Sequence, residues 1–406
     1  MTRMMNGGKM RFLTQVSQVI DPVAAVTSLV SALDHPHLRG VFFYYTEEYA
    51  PEVLWQELVR QLPNVPIVGC SSYQGVMTEK GYFNGPTVAL MAIQHDTCTF
   101  GTGFAELANH ATINDAVQDA IQQALEHAQR CGEVPDLVVL HAIPGYEEEI
   151  IAAIDAAFGM PVPIIGGSAA DNFIQQRWSV MTDKGWSGNA VAIQLCFPIS
   201  AVATGFCAGY SPTECVGTIT KSRGRLLEEI DHEPAIDVYK AWISDHSNRL
   251  ISDEYVYQHI TSFPLGRIAG QIYEQPYYKL THPRQITERG GLELFADVQV
   301  GEEVTLMTGS QEQLVNRAAR VLKEARAKNY THSEILGAIS IFCAGAMARL
   351  GCDIQSVQKQ MCEQLNGKPF ICPFTYGEQG QFVGGENAHG NLMISSAILY
   401  EPESFS

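Results

Sequence analysis

The chain has 406 residues, 46% hydrophobic and 17% charged, with a formal net charge of −18; this length exceeds one hydrophobic core and implies two or more domains that fold without staples. The charge opposes phosphate backbones and anionic lipid, no Lys/Arg cluster offsets it, and no apolar run reaches membrane-span length, so neither nucleic acid nor membrane is an expected partner. Met1 to Val26 lacks the apolar stretch of a secretion signal, and the ten cysteines form no CxxC pair, so a cytoplasmic protein with buried free thiols is expected.

Residues 1–24 read as an N-terminal extension. A helix of 3.6-residue period, Pro22 to Leu33, precedes an apolar strand, Gly40 to Tyr45, and a second helix, Pro51 to Leu62. Pro66-Ile-Val-Gly69-Cys70-Ser71 follows, then Met77-Thr-Glu-Lys-Gly81-Tyr82 and a strand from Val88 to Gln94. The same order returns further on, with helix Ile113 to Arg130, strand Asp136 to His141, helix Glu147 to Phe158 and Pro163-Ile-Ile-Gly166-Gly167-Ser168. Met181-Thr-Asp-Lys-Gly185-Trp186 and strand Ala190 to Cys196 complete it. The shared MT[ED]KG-aromatic hexad identifies a duplication. Its copies span about 25–105 and 112–206, each closed by a further β segment, Cys98 to Gly103 and Ile199 to Phe206. Two copies side by side predict a pseudo-twofold domain in which Gly69 to Tyr73 and Gly166 to Phe173 face each other across a ligand cleft. A glycine after a strand also suits a tight turn without any ligand.

Past Phe206 the pattern changes. Asp231-His-Glu-Pro234-Ala235 predicts an N-cap opening a helix through Trp242, and β segments follow at Gly291 to Phe295 and Glu303 to Met307. Ser310-Gln-Glu-Gln313 fits a capping box for a helix to about Lys328. Strand Ile335 to Phe342, helix Asp353 to Leu365, a polar glycine-rich loop from Thr375 to Gly390 and strand Asn391 to Tyr400 end the chain. The fold class is α/β in the mixed α+β sense: helix-flanked mixed sheets, a duplicated domain at 25–225 and a smaller α/β domain at 226–400.

The densest polar constellation is Thr375-Tyr376-Gly377-Glu378-Gln379 with Glu386, Asn387, His389 and Asn391, suited either to hydrogen-bonding a small polar molecule or to capping its own backbone. No G-x-S-x-G elbow, Walker lysine, GxGxxG or HExxH is present, so no enzyme is expected. Cys70 reads as a redox-sensitive thiol on an exposed turn or as a small residue tucked behind it.

The Gly69-Cys70-Ser71 and Gly166-Gly167-Ser168-Ala169-Ala170-Asp171 elements resemble the N-terminal module of the FIST (F-box and intracellular signal transduction) family. Leu227 to Ala235, Gly301-Glu302, Ile341 to Gly345 with Arg349, the Phe374-Thr-Tyr-Gly-Glu378 block and Asn391 resemble its C-terminal module. The family's Cys-x-Gly-Arg run is not matched, because Arg349 stands four residues beyond Gly345. The resemblance implies a sensor that binds a small ligand such as an amino acid and signals in trans to a partner such as a histidine kinase or cyclase. The implied ligand contacts are Gly69, Cys70, Ser71, Ser72, Gly166, Gly167, Ser168, Ala169, Asp171, Asn172, Arg349, Thr375, Tyr376, Gly377, Glu378, Asn387, His389 and Asn391. Some bacterial members are regarded as haem-binding nitric-oxide sensors, which makes haem the one cofactor implied and His141 and His389 its candidate ligands. A protein-binding scaffold without ligand is the alternative from another class.

Overall fold

Local chemistry sets the first elements. Proline at the first turn and the Asp21 carboxylate, which accepts from Ala24 N at 2.8 Å, start the helix Pro22–Ser31. Gly69 and Gly101 let their strands lie against neighbouring backbone, at the carbonyls of Phe43 and Ala124. The computed structural model describes residues 10–33, 37–198, 200–247, 251, 252, 256, 260–272, 274–327 and 333–401. Unit one contains β1 (Arg11–Ser17), that helix, β2 (Leu38–Tyr45), helix Pro51–Gln61 and β3 (Ile67–Ser71). A hairpin of β4 (Gly75–Thr78) and β5 (Gly81–Asn84), then β6 (Val88–Gln94), complete it. Unit two repeats the order: β7 (Thr99–Glu106), helix Ile113–Ala128, β8 (Leu137–Ala142), helix Glu147–Phe158, β9 (Ile164–Ser168), hairpin β10 (Val180–Thr182) and β11 (Gly185–Ser187), and β12 (Ala190–Phe197).

A third unit begins at β13 (Ala201–Ala208) and is interrupted at once by an inserted domain. The insert holds β14 (Ser211–Arg223), β15 (Leu226–Ile230), β16 (Glu233–Pro234), helix Ala235–Ser247, β17 (Leu265–Ile272), β18 (Gln275–Thr281), β19 (Pro283–Ile286), β20 (Leu292–Leu294) and β21 (Glu303–Thr308). The unit then resumes with helix Gln311–Ala327, β22 (Ile335–Cys343), helices Ala344–Leu350 and Ile354–Gln364, and β23 (Phe370–Thr375). Hairpin β24 (Glu378–Gln381) and β25 (Asn387–Gly390) and strand β26 (Met393–Tyr400) finish it. The capping box forms as the sequence predicts: Ser310 Oγ accepts from Gln313 N at 3.2 Å and Gln313 Oε1 from Ser310 N at 2.8 Å.

Three six-stranded sheets result, ordered β1-β6-β2-β3-β10-β11, β7-β12-β8-β9-β24-β25 and β13-β26-β22-β23-β4-β5. In each, two antiparallel strands lead to a parallel pair, and the last two places are filled by a hairpin from another unit. Unit one lends its hairpin to the third sheet, unit two to the first, and unit three to the second, so the exchange closes in a ring. One side chain beside each hairpin turn seals the graft. Asp183 accepts from Ile67 N (3.2 Å), Glu79 from Phe370 N (3.3 Å), and Asn387 from Ile164 N (3.4 Å), each at the start of the strand the hairpin joins.

The inner faces of all three sheets share one core, with Phe42, Tyr44 and Val68 against Val139, Ile165, Ile339 and Ile371. Each such side chain contributes about 2 kcal/mol on leaving water, a gain no single open sheet obtains alone. Helices cover the outer faces over separate clusters, and the insert has its own core.

Several sequence expectations change. The expected pseudo-twofold pair is two of three equivalent units. The β segments at 98–103 and 199–206 open the next unit instead of closing the previous one, since β7 pairs with β12 and β13 with β26. Arg11–Ser17, inside the expected extension 1–24, is the edge strand of the first sheet. The expected boundary at 225/226 falls in the turn between β14 and β15. Asp231 caps no helix: it sits at φ 52°, accepts from Thr218 N at 2.9 Å, and the helix starts at Ala235. The polar loop 375–390 is the hairpin β24–β25.

Candidate functional site

The ends of β3, β9 and β23 meet. Ala170 N donates to Ser71 O (3.0 Å), Tyr73 N to Phe374 O (2.9 Å), Tyr376 N to Ser168 O (2.9 Å) and Ser168 N to Gly377 O (3.0 Å), so the three strand-end turns knit one backbone hub. Cys70, Ser71, Ser72, Ser168, Ala169 and Thr375 are fully buried there. Ser71 Oγ accepts from Ser179 N, Ser72 Oγ from Phe374 N, and Ser168 Oγ donates to Glu147. Gly69, Gly166 and Gly167 are needed for close approach: a Cβ on Gly69 would lie 1.6 Å from Phe43 O, one on Gly166 2.2 Å from Leu140 O, and one on Gly167 2.3 Å from Thr375 Oγ1. The two loops expected to face each other across a cleft are therefore joined directly, by Ala170 N and Ser71 O, and their serine hydroxyls are satisfied by Ser179, Phe374 and Glu147. Cys70 is not an exposed thiol; burial pushes its pKa far up.

Asp171 and Asn172 hold the loop that leaves the hub. The Asp171 carboxylate accepts from the backbone N–H of Phe173, Ile174, Gln175 and Arg177, and the Tyr376 hydroxyl donates to Asp171. Asn172 accepts from Gln74 N at 2.8 Å. This loop, the β23–β24 turn and the inserted domain then enclose a cavity of about 90 Å³ lined by Ile174, His282, Phe295, Cys343, Gly345, Tyr376, Gly377 and Asn391. Gly377 stands at φ 101°, where a Cβ would lie 2.4 Å from His389.

Its wall carries no charge. Burial pushes the His282 imidazole down to about 4, against the hydrogen bond of its Nδ1 to Pro283 O, so the ring is neutral at pH 7. Burial and then Asp171 raise the Tyr376 phenol, which stays protonated. Burial and the neighbouring Glu378 push the Cys343 thiol up to about 12. Asn391 is 3% exposed, its N–H donates to Leu280 O at 2.8 Å, and its side-chain Oδ1 has no partner. Leaving such an acceptor unmade costs about 1–3 kcal/mol, so a donor from a bound molecule or water is favoured there.

Other expected contacts lie behind this wall. Glu378 is fully buried, accepting from Thr375 Oγ1 (3.2 Å) and Met393 N (3.1 Å); burial raises its pKa against the Met393 N–H and Arg317. Asn387 bonds Asp155, Val162 O and Ile164 N. Arg349 donates to Tyr210 Oη, Thr261 O and Gly309 O, tying the third unit to the insert's entry. Of the expected contacts, the cavity collects Tyr376, Gly377 and Asn391. Ile174, His282 and Phe295 were not read from sequence, and Cys343 and Gly345, inside the Ile341 to Gly345 stretch that resembles the C-terminal module, were not among the expected ligand contacts.

Neither haem candidate fits. Both ring nitrogens of His141 are taken, Nδ1 by Gly167 O and Nε2 by Tyr44 Oη, each at 3.0 Å, and burial pushes the ring to about 4. The cavity beside Gly377 is far below the roughly 300 Å³ that ligands of drug size occupy. The larger cleft that His389 lines carries five carboxylates, Glu148, Asp155, Asp297, Glu302 and Glu386, against Arg267 and Lys279, an excess of negative charge that opposes anionic propionates.

Residues 40–233 match the family model described as FIST N domain, and residues 235–381 match that of the FIST C domain. No curated protein matches the chain. Among solved structures, cyanuric acid hydrolase from A. caulinodans is similar at 9% identity, covering 97% of this chain and 100% of that one, with a TM-score of 0.33. PurLQS from Thermotoga maritima is similar at 8% identity over 97% and 74%, with a TM-score of 0.24. At these values neither likeness bears on what the site does.

Proposed function

The chain belongs to the FIST family, whose domains are associated with signal transduction and small-ligand sensing, and from that premise we propose that it senses a small uncharged polar molecule in the cavity between its inserted domain and its three-unit core. The carrying observation is an uncharged wall to which Asn391 contributes, a residue whose side-chain Oδ1 is buried without a partner. A free amino acid is the weaker candidate, because its ammonium and carboxylate would lose hydration against neutral groups. The cavity wall comes from three separate parts, the loop after β9, the insert and the third unit. A ligand that touches all three favours the docked arrangement and shifts the population toward it. Phe173, 70% exposed beside Ile174 at the rim, gives a partner protein such as a histidine kinase or cyclase an apolar handle on that state.

Binding without chemistry is the reading we favour. Cys343, in the cavity wall, is held as a thiol because burial pushes its pKa up to about 12. Among the described residues no helix is long and apolar enough to cross a membrane, and the charge of −18 disfavours nucleic acid; we place the protein in the cytoplasm. The test is a thermal-shift screen of small amides, alcohols, ureas and amino acids on the wild type, Asn391→Ala and Gly345→Val. Gly345 lines the cavity, and a Cβ there would meet the Leu392 side chain at 3.3 Å and no backbone atom, so valine narrows the space. An uncharged ligand at a hundred times its Kd should stabilise the wild type by about 2.7 kcal/mol and neither variant comparably. A ligand that shifts all three alike places the site elsewhere.

A further inference from the structure

On the other side of the β24–β25 hairpin, the seam between insert and core opens as a separate cleft of about 350 Å³ that contains Glu148, Asp297 and His389. Glu147 and Glu148 occupy the first turn of helix Glu147–Phe158, and β25 carries His389 toward them across the second sheet. One ligand atom from each of Glu147, Glu148 and His389 lies within 4.8 Å of the others. Arg225, from the insert, donates to Glu147 and Glu148 and pairs with Asp297 at 3.4 Å. One guanidinium thus faces three carboxylates. His389 is 3% exposed, its Nε2 is 3.4 Å from Phe295 O, and its Nδ1 is buried with no partner.

The geometry points to a divalent transition-metal site formed by Glu147, Glu148 and His389. Glu147 Oε2 is taken by Gly145 N and Arg225, but Glu147 Oε1, which accepts from Ser168 Oγ, and the two Glu148 oxygens, which accept from Asp297 N and Arg225, each take one hydrogen bond and keep a second lone pair for a metal. Two carboxylates with an imidazole select zinc-like ions over magnesium or calcium. Arg267 and Lys279 also line the cleft but are outnumbered by Asp155, Glu302 and Glu386, so a dication balances the charge that Arg225 leaves, and Nδ1 of His389 is a ring nitrogen that no protein group uses. Bond lengths of about 2.1 Å bring ligand atoms to roughly 3.4 Å apart, so binding draws His389 of the hairpin and Glu148 of the helix together, next to Arg225 and Asp297 of the insert.

The experiment is isothermal titration calorimetry of the full chain with zinc chloride, and with magnesium chloride as comparison. It is run in a Cys131→Ser/Cys352→Ser background, because those two thiols are exposed and a thiolate is itself a zinc ligand. The expected result is one zinc equivalent, no heat from magnesium, and a loss of at least tenfold in zinc affinity in His389→Gln. Should that variant fail to fold, Glu148→Gln, whose side chain is 31% exposed, is expected to show the same loss. Absence of zinc binding, or wild-type affinity in the folded variant, overturns the site; equal binding of magnesium overturns the choice of ion.

Discussion

Asn387 donates both Nδ2 hydrogens, to Asp155 Oδ1 (2.7 Å) and Val162 O (2.8 Å), while its Oδ1 accepts from Ile164 N (3.4 Å), so the side chain is used as a structural seal. Asn387→Ala is expected to cost about 1–3 kcal/mol in urea denaturation while leaving any ligand-induced shift in melting temperature unchanged. A second expectation concerns acid. His141 and His282 are buried and held near 4 by that burial, below the ordinary 6.5 or so of an unfolded chain. The unfolded chain therefore binds more protons between those values. Their contribution, on the order of 3 kcal/mol each, is complete above about pH 6.5 and is lost as pH falls toward 4. The urea midpoint should drop between pH 7 and 4.5, with a shallower slope in His282→Gln; an identical slope would remove His282 from the account. At this scale the sequence marked polar residues but not their uses. Asn387 and Asn391 stand four apart in one stretch, and only the hydrogen-bond partners separate the seal from the free acceptor.

The hairpins carry the element-scale lesson. MTEKGY and MTDKGW make the same turn, with Lys80 N donating to Thr78 Oγ1 and Lys184 N to Thr182 Oγ1, each at 3.1 Å. That identity made two units legible. The third hairpin lost the hexad, and residues 211–308 separate β13 from the helix that follows it, so the third copy is hidden from a comparison of contiguous segments. Pairing partners were hidden too, since a strand's sequence does not state which sheet it joins. Close approach of β3 to β2 gives a sharp test. Gly69→Ala sets a Cβ against the Phe43 carbonyl, and is expected to destabilise by about 3 kcal/mol or more, whereas Gly345→Ala, meeting a side chain at 3.3 Å, should fold normally. Thermal melts of the two variants distinguish them, and equal stabilities would contradict the packing.

The ring of exchanged hairpins binds the three units into one cooperative body. Residues 1–198 lack the hairpin that completes the second sheet and strand their own β4–β5 hairpin without β23. That fragment is expected to show no cooperative melt by circular dichroism. The insert is attached differently. It enters and leaves through adjacent residues, Ser211 paired with Thr308, and docks on the core through Arg225 and the residues around the cavity. Sensing, on this account, acts on that docking. Hydrogen exchange tests it most directly, using the strongest ligand of the screen. The amides of Phe295, Tyr376 and Asn391 bond to His282 O, Ser168 O and Leu280 O around the cavity. Ligand should slow exchange at all three, in the insert and the core together. Protection elsewhere, with these three amides unchanged, would contradict a ligand site between insert and core.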